Sequence, residues 1–386
     1  MRIYLDHNAT TPVDPAAAEA MTRALQHLFG NASSVHYYGQ QAKAAIDKAR
    51  SQIASLIGGE PAEVIFTSGG TEADNFAIRG AAEALEVTGR KHVITCGIEH
   101  EAVLNTFKAL GKRGWRTTML PLDARGVVSP DRLREAITDD TALVSIMHAN
   151  NEIGTIQPIA ELATIAHAHG ALFHTDAVQS AGKIPVDVRA LGVDMLAVSG
   201  HKFYGPKGVG ALWVKRGVRL SPFLSGGKQE RNRRAGTENV PGIIGAGVAA
   251  ARAMQKMAEE AARLSALRDR LENGILSTVT NTEVNGLREA RVPNTTNISF
   301  DRIEAESLLI ALDLEGVAVS TGSACSSGTL EPSHVLKAMG LSSHRAQNSI
   351  RFSLGASNTE EQIDRVISIL PRIVTKLRSL SAVTAR

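Results

Sequence analysis

Cysteine is nearly missing from this chain: Cys96 and Cys325 are the only two in 386 residues. Two cannot make a zinc site alone, and a single disulfide would be out of place in a chain of this size in a reducing compartment. Both therefore read as free thiols. A surplus of charge of one sign is missing too. Lysine and arginine number 42 against 39 aspartates and glutamates, a net +3, which is too small and dispersed to draw nucleic acid. Long apolar runs are missing, so nothing in the sequence is expected to span a bilayer. The opening MRIYLDHNATTP has no apolar signal core, and a cytoplasmic protein is expected. There are no repeats and no low-complexity tract, and residues 379–386 read as a frayed end.

What is present is a regular alternation. Apolar, strand-like runs fall at 64–67, 92–96, 117–122, 142–148, 171–174, 195–198 and 209–214. Helical spacing separates most of them, at 71–86, 101–113, 130–137 and 158–169, after earlier helices at 13–28 and 40–57. Strands separated by helices predict an α/β fold with a mainly parallel, helix-covered sheet. Ligands bind such sheets beyond the carboxyl ends of the strands. A Gly- and Arg-rich loop at 225–239 precedes a helical stretch from about 243 to 276, which carries the chain into a smaller α+β domain. Its expected elements are strands near 297–300, 317–320 and 349–353 and helices at 304–312, 332–339 and 359–378. The division expected is a large domain over 14–260 and a small one over 1–13 and 261–386.

Polar residues of interest cluster at the strand ends. SGHKFYGPKG (199–208) puts Lys202 after a buried run, on a chain forced to turn by Gly205, Pro206 and Gly208. A desolvated lysine near other cations loses its proton and becomes a Schiff-base nucleophile, and Ser199 and His201 flank it as phosphate donors. The alternative is a solvated lysine in a turn. FTSGGTEADN (66–75) is strand, glycines, helix start, where free N–H groups favour an anion at Gly70 and Thr71. Without a lysine-serine ending it suits a phosphomonoester better than a triphosphate; its alternative is a helix cap pairing Thr71 with Asp74. In IEHEAV (98–103), His100 can stack on an aromatic cofactor or move protons, or bond the backbone of its own helix. In HANNEIG (148–154), Asn150 and Asn151 suit ligand hydrogen bonds or a turn.

HTDAVQS (174–180) sets Asp176 at a strand end, three residues before Gln179. A carboxylate held there can keep a ring nitrogen protonated, as the acidic partner of a pyridoxal phosphate pyridinium does; otherwise it caps a turn. Gln179 can reach the ring's phenolic oxygen or lie in solvent. STGSACSSGTLEPSH (320–334) surrounds Cys325 with small polar residues, which favours a reactive thiol over a packed one. Cys96, in an apolar strand, reads as an inert core thiol. Arg351, in SIRFSLG, can clamp a carboxylate bidentately or make a surface ion pair. HAHG (167–170) looks like a metal pair but lacks a third ligand, so no intrinsic metal site is expected.

Taken together these stretches resemble the cysteine desulfurases of the NifS/IscS type, class V aminotransferase-like enzymes of fold type I. The matching pieces are YLDHNATTPVD, FTSGGTEADN, EHEAVL, MHANNEIGT, FHTDAVQSAGK, SGHKFYGPKGVG, RRAGTEN and TGSACSSG with LEPSHVLKAMG, in family order over nearly the whole chain. RRAGTEN and LEPSHV resemble NifS, the nitrogenase-associated branch, more than IscS. Two departures stand out, Ala32 where the family has proline and Ala356 where an arginine is common. The resemblance implies pyridoxal 5'-phosphate held covalently by Lys202, His100 stacked on its ring, Asp176 on the ring nitrogen, and Gln179 and Asn151 toward the ring hydroxyl. Gly70, Thr71, Ser199 and His201 would hold the phosphate. Thr237 would reach the neighbouring subunit's phosphate, hence a homodimer. Arg351 would bind the substrate carboxylate, with Asn151 beside it.

The reaction so implied is L-cysteine to L-alanine, with sulfur carried as a persulfide on Cys325 to an iron–sulfur scaffold protein of the NifU or IscU kind. Cys325 would then be a transient ligand of that cargo. Rival readings are a selenocysteine lyase or another class V aminotransferase, and a scaffold-binding subunit without activity.

Overall fold

The structure is a computed structural model and describes residues 2–322 and 332–384. Cys325 lies outside the described residues. Seven strands form the main sheet, in the spatial order Val64–Thr67, Gly210–Val214, Met195–Ser199, Leu172–Asp176, Thr141–Ser145, His92–Cys96 and Arg116–Leu120. Six of the seven are almost wholly buried, as strands covered by helices on both faces must be, and so they read as continuous apolar runs. The edge strand Arg116–Leu120 is mostly exposed. Gly210–Val214 runs antiparallel to both neighbours, and the other adjacent pairs are parallel.

This topology aims six strand ends at one edge of the sheet, and five of them matter here. Thr67, Cys96, Ser145, Asp176 and Ser199 each close a strand of the same direction, and each leads into a motif singled out above. Asp176 pairs with Ala197, two residues before Ser199, so the aspartate and the lysine turn emerge side by side.

The second part of the chain holds a three-stranded antiparallel sheet, Ser349–Ser353, Thr295–Phe300 and Thr282–Asn285 in that order. A two-residue strand, Ile3–Tyr4, pairs with Val317–Ala318. Neither Ile3–Tyr4 nor Thr282–Asn285 was expected from the sequence; they are short and partly exposed, so they carry no period. An apolar cluster here joins Ile3 and Leu5 to residues between Leu264 and Val374.

One helix, Val240–Thr278, runs through both parts, and the expected division at 260 falls within it. Pro241 lies in its first turn and the Asn239 side chain accepts from the Gly242 amide, both ordinary helix-start devices. Val240 to Ala250 bury against the first core and Leu264 to Ile275 against the second. Among the described residues no helix is long and apolar enough to cross a membrane.

Candidate active site

The strand Val64–Thr67 ends in Ser68 and Gly69 and the helix Gly70–Leu85 begins at once. A Cβ on Gly70 would sit 2.8 Å from Val178 Cγ2 and 3.6 Å from Ser199 Cβ, so only glycine lets this turn approach the strand ends that carry Asp176 and Ser199. Glu72 fixes the turn by accepting from the Ser68 amide at 2.9 Å and from Arg234 Nε at 2.8 Å. Asp74 does not pair with Thr71 as a cap. It is buried, with Oδ1 3.5 Å from His174 Nε2. Thr71 is exposed and, with Asn75, Arg79 and His100, lines an open depression of about 560 Å³.

His100 stands at the start of the helix Glu101–Lys112, where its Nδ1 accepts from the Ala102 amide at 3.1 Å. That bond leaves the imidazole face exposed. Asp176 is buried, with Oδ1 accepting from the Val178 amide at 2.8 Å. Burial raises its carboxyl pKa, while His100, the Val178 amide and Lys202 pull the other way.

Beneath it lie two further buried carboxyls. Glu99 Oε1 accepts from Cys96 Sγ at 3.1 Å and the Met147 amide at 2.8 Å, and burial pushes this acid up to about 8. Asp74 is raised well above the usual range by burial and by the nearby carboxyls of Asp176 and Glu99. Cys96 is the buried, unreactive thiol the sequence suggested, its pKa raised by burial and by Glu99.

Lys202 ends a single 3₁₀ turn, Gly200–Lys202, directly after the strand Met195–Ser199. Its Nζ donates to the carbonyls of Asn8 at 2.5 Å and Ala9 at 2.8 Å. Desolvation, with help from Arg351, lowers this amine to about 8. His201 Nδ1 lies 3.1 Å from Thr10 Oγ1.

Asn8 is the hub of the site, and the sequence reading quoted its motif without singling it out. Its carbonyl also accepts from Gln179 Nε2 at 3.0 Å. Its Nδ2 donates to the Asn151 carbonyl at 3.0 Å and to Thr295 Oγ1 at 2.8 Å. Its Oδ1 accepts from Lys183 Nζ at 3.0 Å and from Asn294. Lys183, also missed, donates to Gln179 Oε1 at 2.8 Å. Desolvation and the charges of Lys202 and Arg351 lower its pKa well below the ordinary value. The link between Asn8 and Lys183 spans 175 residues, which one dimension does not show.

Arg351, in the strand Ser349–Ser353, is buried. Its Nη1 donates to the Asn151 carbonyl at 3.0 Å and its Nη2 to Asp6 Oδ1 at 2.6 Å. Thus Lys202, Gln179, Asn151, Asp6 and Arg351 meet around Asn8, with Asp176 and His100 electrostatically close. Thr237 is different: it is exposed on the loop that Arg234 ties to Glu72. Glu230, Arg231 and Asn232 in that loop take left-handed backbone conformations, held by Glu230 against Arg50 at 2.7 Å and the Phe66 amide at 3.0 Å. The HAHG histidines are engaged elsewhere, His167 with Asp194 and His169 with Asp139, and no metal-binding cluster occurs among the described residues.

A family model described as aminotransferase class-V matches residues 3–366. The chain belongs to that family. It is 52% identical over 379 residues, 98% of this chain and 96% of the relative, to a cysteine desulfurase IscS of Dictyoglomus turgidum. A solved NifS-like protein shares 39% identity and a TM-score of 0.92, over 98% of this chain and 100% of that one. SspA, solved in complex with cysteine, shares 37% identity and a TM-score of 0.81, over 92% of this chain and 99% of that one.

Class-V aminotransferases and the cysteine desulfurases among them are enzymes that use pyridoxal 5'-phosphate, so the chain is such an enzyme. The residues present suit that group. A phosphate needs a cradle without a side chain, and Gly70 provides one against Val178 and Ser199. An aldehyde needs a neutral amine, and Lys202 is depressed toward one. A basic ring nitrogen needs a fixed acid, and Asp176 is buried at the neighbouring strand end.

Proposed function

We propose that the protein removes sulfur from L-cysteine, leaving L-alanine, and passes it as a persulfide on Cys325 to an iron–sulfur scaffold protein. The observation that carries this reading is the short path from amine to guanidinium. Lys202 Nζ donates to the Asn8 carbonyl, and Asn8 Nδ2 and Arg351 Nη1 both donate to the Asn151 carbonyl. An amine-reactive centre and a carboxylate clamp so joined fit an α-amino acid. The cysteine found in the related SspA structure supports the same substrate.

The bound cofactor supplies an electron sink that stabilises negative charge at the substrate α-carbon. The chain's own groups do the rest. Gly70, Thr71, Ser199 and His201 would hold the phosphate end, Asp176 would keep the ring nitrogen charged, and Gln179 and Asn151 would address the ring-oxygen side. His100 would lie over the ring and take the proton from the substrate thiol. Arg351 holds the substrate carboxylate. Lys202, with a pKa of about 8, takes up and returns a proton at the α-carbon near neutral pH.

The Cys325 thiolate attacks the substrate sulfur. The S–S bond forms, the C–S bond breaks, and its electron pair stays on carbon to be protonated as alanine. A free thiol with a pKa near ~8.5 is only a few per cent ionised at pH 7, so this step speeds up as pH rises.

Two larger-scale assignments belong to the same proposal. The protein acts as a homodimer in which Thr237 completes the partner's phosphate site. The exposed apolar residues Leu25, Phe29, Val35, Tyr37 and Tyr38 support self-association. Its large domain covers 14–260, and the small one, 1–13 and 261–386, carries Cys325. The acceptor belongs to general iron–sulfur assembly, as the IscS name of the Dictyoglomus relative suggests, while RRAGTEN and LEPSHV incline toward nitrogenase.

The test is product analysis with cysteine, selenocysteine and a keto acid, with scaffolds of the NifU and IscU kinds as acceptors. Alanine and scaffold-bound sulfur from cysteine are expected. Cys325→Ala is expected to keep the cofactor colour, bind cysteine and release no sulfur; undiminished alanine from that variant removes Cys325 from the reaction.

A further inference from the structure

Glu152 is a buried acid with no place in the chemistry above. It follows Asn151, and its relative exposure is 1%. Burial raises its pKa, while Ser333, His334 and Arg351 pull it down. Ser333 Oγ donates to Glu152 Oε2 at 2.5 Å. On the other side, Gly322 approaches so closely that a Cβ there would lie 2.7 Å from the same Oε2. Gly322 has φ +86, a left-handed conformation that glycine adopts without strain. One carboxyl oxygen therefore bonds Ser333 and packs against Gly322, which lie on either side of the stretch bearing Cys325.

The flanks are also tied to the carboxylate clamp. Ser320 and Arg351 exchange backbone hydrogen bonds at 2.7 and 3.3 Å, and the Gly322 amide donates to Ser320 Oγ at 3.0 Å. The Glu152 carbonyl accepts from Asn297 Nδ2 at 3.3 Å, in the strand beside Arg351. Ser333 starts the helix His334–Ala338 and accepts from the Leu336 amide through the same hydroxyl that meets Glu152. A carboxyl buried this deeply is costly unless its interactions are needed, and here a hydrogen bond to Ser333 and close packing against Gly322 bring two chain segments 11 residues apart to the neighbour of a site residue.

We infer that Glu152 is a positioning residue. Its carboxyl fixes Gly322 and Ser333, and hence the origin of the Cys325-bearing stretch, relative to Asn151 and Arg351. The inference rests on the reading of Cys325 as sulfur acceptor. Its effect falls on the sulfur-transfer step, and neither cofactor capture nor cysteine binding depends on it.

The test compares Glu152→Ala, Glu152→Gln and Ser333→Thr with the wild type in four measurements. These are cofactor absorbance, KM for cysteine, kcat for alanine, and the rate at which iodoacetamide modifies Cys325 in cofactor-free protein, read by peptide mass spectrometry. Buried Cys96 serves as the unreactive internal control. Glu152→Ala is expected to leave absorbance unchanged and KM within twofold, to lower kcat about 10-fold, and to speed alkylation of Cys325 several-fold. Glutamine keeps an acceptor oxygen and threonine keeps the hydroxyl, so Glu152→Gln and Ser333→Thr recover at least half of kcat.

Wild-type kcat and alkylation in Glu152→Ala overturn the inference, and so does a joint fall of absorbance, KM and kcat that Glu152→Gln does not rescue. If Glu152→Ala does not fold, Glu152→Gln and Ser333→Thr decide it, because altered alkylation despite the retained bonds contradicts it. Failure of the underlying reading looks different: Cys325→Ala then makes alanine at the wild-type rate.

Discussion

Arg351 and Asp6 form an ion pair at 2.6 Å in which the arginine side chain is 4% exposed and the aspartate 21%. Arg351 Nη1 is also committed, to the Asn151 carbonyl, but its Nε has no partner among the described residues. A substrate carboxylate arriving here must share the guanidinium with Asp6. Replacing Asp6 by asparagine keeps an oxygen in place and removes the competing charge. Asp6→Asn is expected to lower KM for cysteine about threefold to tenfold, a change in the range of a modest ion pair. Arg351→Lys loses the planar fork and is expected to raise KM at least ~10-fold. Steady-state alanine assays at saturating cofactor check both; a higher KM in Asp6→Asn would mean that Asp6 orients the clamp rather than competing for it.

The depressed Lys202 amine sets a pH dependence for cofactor capture. A lysine with a pKa of about 8 is about one-tenth neutral at pH 7 and half neutral at pH 8, whereas an ordinary lysine is almost wholly charged at both. Mixing cofactor-free protein with pyridoxal phosphate from pH 6.5 to 9.5 is expected to give a capture rate that rises and levels with a midpoint near 8. A rate still climbing tenfold per unit at pH 9.5 would show an unperturbed amine.

Glu99 links the buried acids to stability. In the folded chain it holds its proton up to about 8, against a usual value of 4.5. Between those values the folded state binds more protons than the unfolded state, so stability falls as pH rises, by at most about 1.4 kcal/mol per unit. The contribution is fully present below pH 4.5 and is lost by the time pH has passed 8. Glu99→Gln mimics the protonated form and is expected to flatten the slope of urea midpoint against pH between 5 and 8. An unchanged slope would assign the dependence to Asp74 or Asp176 instead.

Gly70 tests the cradle. A methyl there meets Val178 at 2.8 Å, and forced contacts of this kind cost about 1–3 kcal/mol. Alanine is favoured over glycine in a helix, so the fold should survive. Gly70→Ala is expected to lower the thermal unfolding midpoint of the cofactor-free protein by a few degrees and, by shifting the turn, to weaken cofactor binding by about 5- to 100-fold in equilibrium dialysis.

The sequence made the sheet legible because its central strands are buried on both faces and read as unbroken apolar runs. It made Lys202, Asp176 and the Gly70 turn legible because each follows such a run directly. It could not show that Gly210–Val214 runs against its neighbours, since direction leaves no mark on a short apolar run. The helical stretch expected from about 243 to 276, carrying the chain from one part to the other, is present as Val240–Thr278. Asn8, Asp6, Lys183 and Glu152 went unmarked because each takes at least one deciding partner from a distant part of the chain. His100 takes the cap reading, its Nδ1 accepting from the Ala102 amide.

The Asn8 amide donates to Ser353 Oγ at 3.0 Å, across 345 positions of sequence, and Lys202 leans on the Asn8 carbonyl. During synthesis Asn8 must therefore wait for a residue made 345 positions later before its place under the lysine is complete. A nascent chain halted before residue 353 would have the lysine, the glycine turn and the aspartate, yet no finished place for the vitamin to dock.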